Sequence, residues 1–276
     1  MRYTFVVERH VWNPMDTGCT TKTLHRRTPQ GDAREHQHAL ADEVPVEIHL
    51  NQHATVVTMA SPVALADLAV GFLLSERYLS LSTPVLRAEV YERAPGFVVN
   101  VITPNGERPA VRSRSVAARS SCGLCGVTSM DDAIVALEPV TRRALPRADV
   151  IQRSVTGLRA HQPLNQQTRS VHAAAWCDSR GDIALVREDI GRHNALDKLL
   201  GARARANDDA AGYVLMSSRL SYELVQKAAT HNVATLVAIS APTTLAVDLA
   251  ASLGMNMVAI ARDDNHSIFT PESARE

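Results

Sequence analysis

The sequence predicts an α/β protein, with a partly parallel sheet in a larger C-terminal domain and a smaller α+β domain before it. Three observations predict this. Tyr213–Met216 and the segments 235–239 and 255–260 are short and almost wholly apolar, while 221–231 and 243–253 between them have helical patterning. The β-α-β-α-β order, with strands apolar along their whole length, indicates parallel strands covered on both faces. Farther upstream, Val44, Val46, Ile48 and Leu50 alternate, 51–53 turn the chain and 54–59 run back, which is the pattern of a β-hairpin. The chain's 276 residues, at 45% hydrophobic content, suffice for one large or two small cores.

In chain order, residues 1–41 are polar, with scattered His, Arg, Thr, Gly and Pro and no clear period, which predicts a poorly ordered arm. Residues 42–116 make the small α+β domain. After its hairpin, Ser61 is placed to cap a helix with Pro62 at the first helical position. Leu65, Leu68, Ala69 and Phe72 share one face of that helix. Strands at 85–91 and 97–103 flank a turn at Ala94-Pro95-Gly96. Residues 117–128 read as a mobile loop carrying two cysteines, and the larger domain spans 129–276.

That larger domain opens with a short helix capped by Ser129, whose first turn carries Asp131 and Asp132 at the positive dipole end. A helix over 149–160 and strands at 171–176 and 182–187, joined by a turn at 178–181, come next. A turn at Gly191 then leads to a helix ending near Gly201, with His193 and Asp197, and Asn194 and Lys198, four apart. Crossovers between the last three strands are right-handed, so their ends open on one edge, where ligands of open α/β sheets bind. Candidates at that edge are Ser217, Ser218, Arg219, the segment 240–244 with Thr243 and Thr244, and the segment 262–265. Free N–H groups at helix starts attract anions, although N-capping accounts for the same Ser and Thr equally well. The guanidinium groups of Arg219 and Arg262 suit bidentate phosphate contacts.

Lys plus Arg and Asp plus Glu both number 29, so the net charge is zero. General nucleic-acid affinity needs excess positive charge to displace counterions, so nucleic acid is not an expected partner. No apolar run reaches the roughly 18 residues of a membrane span. The N-terminus has neither the apolar stretch nor the cleavage site of an export signal. Of Cys19, Cys122, Cys125 and Cys177, only one pair is close in sequence, and unexported thiols stay reduced. These features predict a cytoplasmic location and no membrane partner.

Ser120-Ser121-Cys122-Gly123-Leu124-Cys125-Gly126 surrounds two thiols with small residues, and Gly123 and Gly126 let a bulky partner approach. Arg112, Arg114 and Arg119 lie upstream, with no acid between 108 and 130. Nearby positive charge favours the nucleophilic thiolate. Half of a zinc site is one reading, with His172, Cys177 and His193 as the remaining ligands, although their spacing matches no common pattern. A thioredoxin-like redox pair is another, but it should open a helix, and Gly126 follows the second Cys at once. Two incidental loop cysteines are a third. Sulfur transfer, the fourth, needs an exposed nucleophilic Cys on a loop able to visit two partners, and these residues suit it. Cys177, beside Trp176 at a strand end, reads as a buried structural thiol, and Cys19 carries no functional signal either.

Five segments follow one another in order. They are Ser121-Cys122-Gly123-Leu124-Cys125-Gly126, Val171-His172-Ala173-Ala174-Ala175, Arg187-Glu188-Asp189-Ile190-Gly191-Arg192-His193-Asn194-Ala195-Leu196-Asp197-Lys198, Ser218-Arg219-Leu220-Ser221-Tyr222-Glu223-Leu224-Val225-Gln226-Lys227 and Ser240-Ala241-Pro242-Thr243-Thr244-Leu245-Ala246-Val247. Together they resemble the FdhD family of formate dehydrogenase accessory sulfurtransferases, from about Glu43 to Thr270. The resemblance implies a cytidine-deaminase-like α/β fold and a cysteine desulfurase as sulfur donor. It implies bis-molybdopterin guanine dinucleotide, a molybdenum cofactor, as acceptor, modified before insertion into the formate dehydrogenase apoprotein. It further implies Cys122 as the persulfide intermediate, with Cys125 beside it, and a cofactor-binding segment of Ile260, Ala261, Arg262, Asp263, Asp264 and Asn265.

On the residues alone, Asp189–Lys198 reads equally as a charged, solvated helix face with a structural His, and the resemblance tips Arg192 or His193 toward the cofactor. The cofactor carries two guanine nucleotide tails, so GDP is an expected partial mimic. Thr168-Arg169-Ser170, Ser218 and Asp263 depart from the family's pattern. A zinc deaminase needs His-x-Glu and a later Pro-Cys-x-x-Cys. Here Ala174 stands two residues after His172 and the cysteine pair comes earlier, so neither deamination nor a metal of its own is expected. The reading from another class is a non-catalytic chaperone that binds the cofactor or a guanine nucleotide. A homodimer is compatible with either.

Overall fold

The computed structural model describes residues 18–27, 31, 33–104 and 136–270. The cysteine loop with Cys122 and Cys125, and the helix expected after Ser129, lie outside the described residues. β1 (Cys19–Arg27) and β2 (Ala33–Ala41) pair as an antiparallel ribbon. This corrects the expectation of a loose arm over that stretch. Thr20, Thr21 and Thr23 favour extended backbone, and the Thr20 hydroxyl ties the ribbon's base to Asp42 at 2.7 Å.

The next strands, β3 (Val44–Leu50), β4 (His53–Ala60), β5 (Arg87–Arg93) and β6 (Gly96–Ile102), form a sheet in the order β4-β3-β6-β5. Val44, Val46, Ile48 and Leu50 point to one face and are buried against Leu65, Leu68, Leu73 and other residues of α1 (Leu65–Ser75). Each such burial contributes about 1.5–3 kcal/mol. The helix starts at Leu65 rather than Pro62, and its N-cap is Ala64, not Ser61. Ser61 is drawn into a different contact. Its N–H donates to Asp189 Oδ2 at 3.0 Å and its hydroxyl accepts from the Ile190 N–H at 3.2 Å, both across the junction with the larger domain.

In the larger domain come α2 (Ala148–Leu158), α3 (Pro163–Thr168), β7 (His172–Cys177), β8 (Ile183–Asp189), α4 (Arg192–Arg205), β9 (Tyr213–Met216) and α5 (Tyr222–Thr230). Then follow β10 (Thr235–Ala238), α6 (Thr244–Ser252), β11 (Asn256–Ala259) and β12 (Ser267–Ile268). The sheet order is β12-β11-β10-β9-β7-β8, with β9, β10 and β11 parallel and β7 antiparallel to both of its neighbours. One face, through Ala174, Trp176, Met216 and Leu236, packs in a core with residues of α4, α5 and α6. The other, through Ala173, Ala175, Leu215 and Val237, packs with residues of α2. Every residue of β9, β10 and β11 is buried, which is why these strands are almost wholly apolar, and their two polar residues pair with each other, the Asn256 amide donating to the Thr235 hydroxyl at 2.9 Å. Among the described residues, no helix is long and apolar enough to cross a membrane.

The helix expected to stop near Gly201 continues to Arg205. Gly201 serves a different purpose, because a Cβ there would lie 1.9 Å from the Asp67 carbonyl oxygen. Opposite it, a Cβ on Gly71 would lie 1.8 Å from the Asp197 carbonyl oxygen. α1 and α4 therefore cross backbone to backbone at two glycines, and this crossing seats the four-stranded sheet's helix on the six-stranded sheet's. Gly201→Ala should lower stability by about 1–3 kcal/mol or more, because neither backbone can retreat. Gly157→Ala, in a helix where the new Cβ meets only Ile183 Cδ1 at 3.7 Å, should instead raise it by about 0.5–1 kcal/mol. Urea unfolding of both variants checks the opposite signs.

Candidate functional site at the sheet edge

The parallel strands deliver their C-terminal ends to one edge, as expected from sequence, and hydrogen bonds beyond the strands lock the loops together. The Ile239 N–H donates to the Met216 carbonyl at 3.0 Å and the Ile260 N–H to that of Ser240 at 3.1 Å, while Leu220 bridges to Pro242. The segments 217–221, 239–243 and 260–265 are thus neighbours. Farther along the edge, His172 opens β7 opposite Asp189 of β8, and the next residue, Ala173, donates its N–H to the Ser217 hydroxyl at 2.8 Å. α4, α5 and α6 all begin at this edge.

Several expected residues have structural work there. Thr243 caps α6, accepting from the Ala246 N–H at 3.3 Å. Ser218 is buried and donates to the Arg219 carbonyl at 3.1 Å. The Arg262 guanidinium bends back onto the Ile239 and Ala261 carbonyls, which close the ends of β10 and β11. Asp263 accepts from the Thr156 hydroxyl at 3.5 Å and Asp264 from the Asn265 amide at 2.6 Å. Ala261 is buried. Ile260 holds a left-handed φ of 53°, a conformation that costs a β-branched residue about 1–3 kcal/mol and is characteristic of functional segments. Arg219 is exposed.

His193 and Glu223 form a centre that the sequence did not announce. Their helices start side by side, and His193 Nε2 lies 2.7 Å from Glu223 Oε2, which also accepts from the Ser221 hydroxyl at 3.0 Å. The hydrogen bond from His193 holds the Glu223 carboxyl below its usual range against the opposing effect of burial. His193 Nδ1 and Arg192 Nε are buried without a hydrogen-bond partner. Burial, reinforced by the nearby charges of Arg192 and Arg219, pushes His172 below its ordinary value. The only hint in the sequence was Arg192-His193 immediately after the turn at Gly191.

The rest of the segment Asp189–Lys198 is not a solvated helix face. Lys198 Nζ lies 2.5 Å from Asp189 Oδ2, both side chains are fully buried, and the amine also donates to the Ser61 carbonyl at 2.9 Å. Asp189 further accepts from the Gly191 N–H at 2.8 Å and the Asn194 amide at 3.1 Å. Asp197 pairs with Lys227 at 2.9 Å, and Lys227 also with Glu76 at 2.9 Å. Helix interior charges can stay buried only when paired in this way.

Cys177 drops out of the zinc reading. His172 and Cys177 stand at opposite ends of β7, about 17 Å apart at strand rise, so they cannot share a metal. Burial pushes the Cys177 thiol up to about 12, which leaves it protonated and unreactive. Among the described residues, no group of three or more His, Cys, Asp or Glu is placed to hold a metal ion.

A family model described as the FdhD/NarQ family matches residues 41–275. The chain belongs to the FdhD/NarQ family. It is 40% identical to a Xanthomonas campestris pv. campestris protein named sulfur carrier protein FdhD, over 93% of this chain and 92% of that one. It is also 40% identical to a protein of the same name from Cupriavidus necator, over 83% of this chain and 81% of that one. Its fold is similar to the crystal structure of a protein assigned as a formate dehydrogenase accessory protein from Desulfotalea psychrophila. That similarity has a TM-score of 0.72 at 22% identity, over 93% of this chain and 98% of that one. For this family member, His172 should titrate below the ordinary histidine range and be neutral at pH 7. Arg219→Ala removes a like charge and should raise its pKa, which NMR of labelled histidine rings checks directly.

Proposed function

We propose that this chain is a sulfur carrier that takes sulfur from a cysteine desulfurase as a persulfide on Cys122. It passes the sulfur to bis-molybdopterin guanine dinucleotide, its substrate, before that cofactor enters the formate dehydrogenase apoprotein. The observation that carries the reading is the 40% identity over 93% of the chain to a protein named sulfur carrier protein FdhD. Cys122 and Cys125 lie outside the described residues, and their assignment rests on the glycine-rich loop sequence with its basic approach. Cys177 is excluded as the carrier by its burial and raised pKa.

In the loading step, the Cys122 thiolate attacks the terminal sulfur of the donor's persulfide. A new S–S bond forms at Cys122 while the donor's breaks, and the donor cysteine leaves as thiolate. Cys125 is the neighbouring thiol that can release the sulfur, by attacking Cys122 Sγ and expelling hydrosulfide as the disulfide forms. The chemistry needs reduced thiols, which agrees with a cytoplasmic location, and no metal of the protein's own.

The nucleotide tails belong, in this reading, at the sheet edge. Arg219, Arg262, Ser218, Thr243, His193 and the segment 260–265 converge there, with three helix N-termini. The larger domain is read as cytidine-deaminase-like, on the run β8-β7-β9-β10-β11 with β7 antiparallel to its neighbours, but without a deaminase's His-x-Glu.

Cys122→Ala should abolish the adduct of about 32 Da, one sulfur atom, that a desulfurase deposits on the wild type, while Cys177→Ser should load normally. Mass spectrometry of the intact proteins decides it, and full loading of Cys122→Ala would transfer the role elsewhere. A loop that never accepts sulfur would leave a cofactor-binding chaperone. Arg262→Ala should weaken GDP binding about tenfold or more, one decade being 1.4 kcal/mol. Calorimetry on both proteins tests the edge, and equal affinities would move the pocket.

A further inference from the structure

The loop 260–266 joins β11 to β12, and β12 adds only two residues to the sheet, both exposed. So short a pairing cannot by itself hold a loop of this length in one conformation. The first residues of the loop are tied to the sheet, the Ile260 N–H donating to the Ser240 carbonyl at 3.1 Å and the Ala261 N–H to that of Ala238 at 3.0 Å. Farther on, the Arg262 N–H donates to the Asn265 carbonyl at 2.7 Å and closes a turn. Other backbone groups of that turn are met by α2.

Ile151 and Val155 of α2 are buried in the same core as Ala261. Gln152, beside Ile151, is half-buried, and its side-chain amide lies among four polar atoms of the loop. One orientation of the amide satisfies all four. In it the nitrogen donates to the carbonyls of Arg262 and Asp263, the latter at 3.1 Å, while the oxygen accepts from the Asn265 N–H and from His266 Nδ1, each at 3.2 Å. A primary amide carries two donors on one atom and two lone pairs on the other, so its whole capacity is used here. A carboxylate lacks the donors, an ammonium lacks the acceptors, and a hydroxyl has one donor only. One turn along α2, the Thr156 hydroxyl reaches Asp263 Oδ1 at 3.5 Å and grips the same loop.

These contacts converge on Arg262. Its N–H is held by Asn265, its carbonyl by Gln152, and its guanidinium by the Ile239 and Ala261 carbonyls. We propose that Gln152 is a positioning residue for ligand recognition, which sets the 262–266 turn and so places Arg262 at the edge without touching the ligand itself. The inference rests on the reading of the edge as a nucleotide site and adds to it a residue of α2, which covers the opposite sheet face from α4, α5 and α6. Without the amide, the turn samples other conformations, and affinity falls in proportion to the share of chains whose turn is correctly set.

Gln152→Met keeps the length of the side chain and its helix preference while removing all four hydrogen bonds. Calorimetric titration should show GDP affinity lowered about fivefold or more. The urea midpoint should stay at the wild-type value, because the side chain is half-exposed and its loss opens no cavity. A double-variant comparison separates positioning from general loosening. Added to Arg262→Ala, Gln152→Met should cost less than about twofold more, since the turn then has no guanidinium to place. Added to Arg219→Ala, on a different loop, it should keep its full effect. Wild-type affinity in Gln152→Met, or its full effect retained beside Arg262→Ala, would overturn the proposal and leave the edge reading standing. Absence of GDP binding by the wild type would overturn both.

Discussion

The Lys198–Asp189 pair sits where the two domains meet, and much of the local structure is arranged to keep it satisfied. Neither side chain has any exposure, so removing one partner would strand a charge in the interior at a cost of about 3–5 kcal/mol. The amine needs further acceptors and finds the Ser61 carbonyl on the smaller domain. The carboxylate needs further donors and finds the N–H groups of Ser61 and Gly191 and the Asn194 amide. Ser61 can reach this pair only because α1 and α4 approach to backbone contact at Gly71 and Gly201. The steric permission of two glycines and the electrostatic demand of one ion pair therefore support each other. Asp67, held by Arg187 and Arg205, and Lys227, held by Asp197 and Glu76, extend the same logic along the crossing.

This junction explains which parts of the fold were legible in the sequence. The strands were legible because their burial is a property of their own residues: the alternation of Val44, Val46, Ile48 and Leu50 for a sheet covered on one face, and almost wholly apolar runs for β9, β10 and β11. Helix boundaries failed wherever a distant group set them. Ser61 has the right chemistry and position for an N-cap, but Asp189 and Ile190, far along the chain, claim it. α3 was missed because its start is held by Glu188, whose carboxylate accepts from the Leu164 and Asn165 N–H groups at 2.9 and 2.8 Å. That cap comes from a neighbouring strand, so no local pattern shows it. Gly201 carried a true signal read for the wrong one of glycine's two uses, a chain stop instead of a close approach.

The candidate edge divides in the same way. Its location followed from the handedness of the crossovers, which needs only the order of the elements. The loops gathered there were legible as well. What each side chain does was not, because the answers depend on partners from other elements. Thr243 caps α6. Arg262 is anchored to the carbonyls of two strand ends, which fixes its charge in place with donors to spare. His193 could be told from a solvated histidine only once Glu223, thirty residues later in sequence, was known to lie beside it.

The division has a physical origin that bears on how a sulfur carrier is built. A nucleophile is prepared by its immediate neighbours: glycines that let a partner approach and arginines that favour the thiolate. That is why the proposed carrier loop around Cys122 could be read from a few consecutive residues. Recognition of a large anionic cofactor instead requires charges held in fixed relative positions, and rigidity comes from packed elements, not from a loop. In the proposed reading the edge supplies this with helix starts and strand ends, and with the Lys198–Asp189 ion pair beneath them that ties α4 to β8. Asp189 contributes mainly through this support, accepting from Lys198 and from the N–H groups of Ser61 and Gly191.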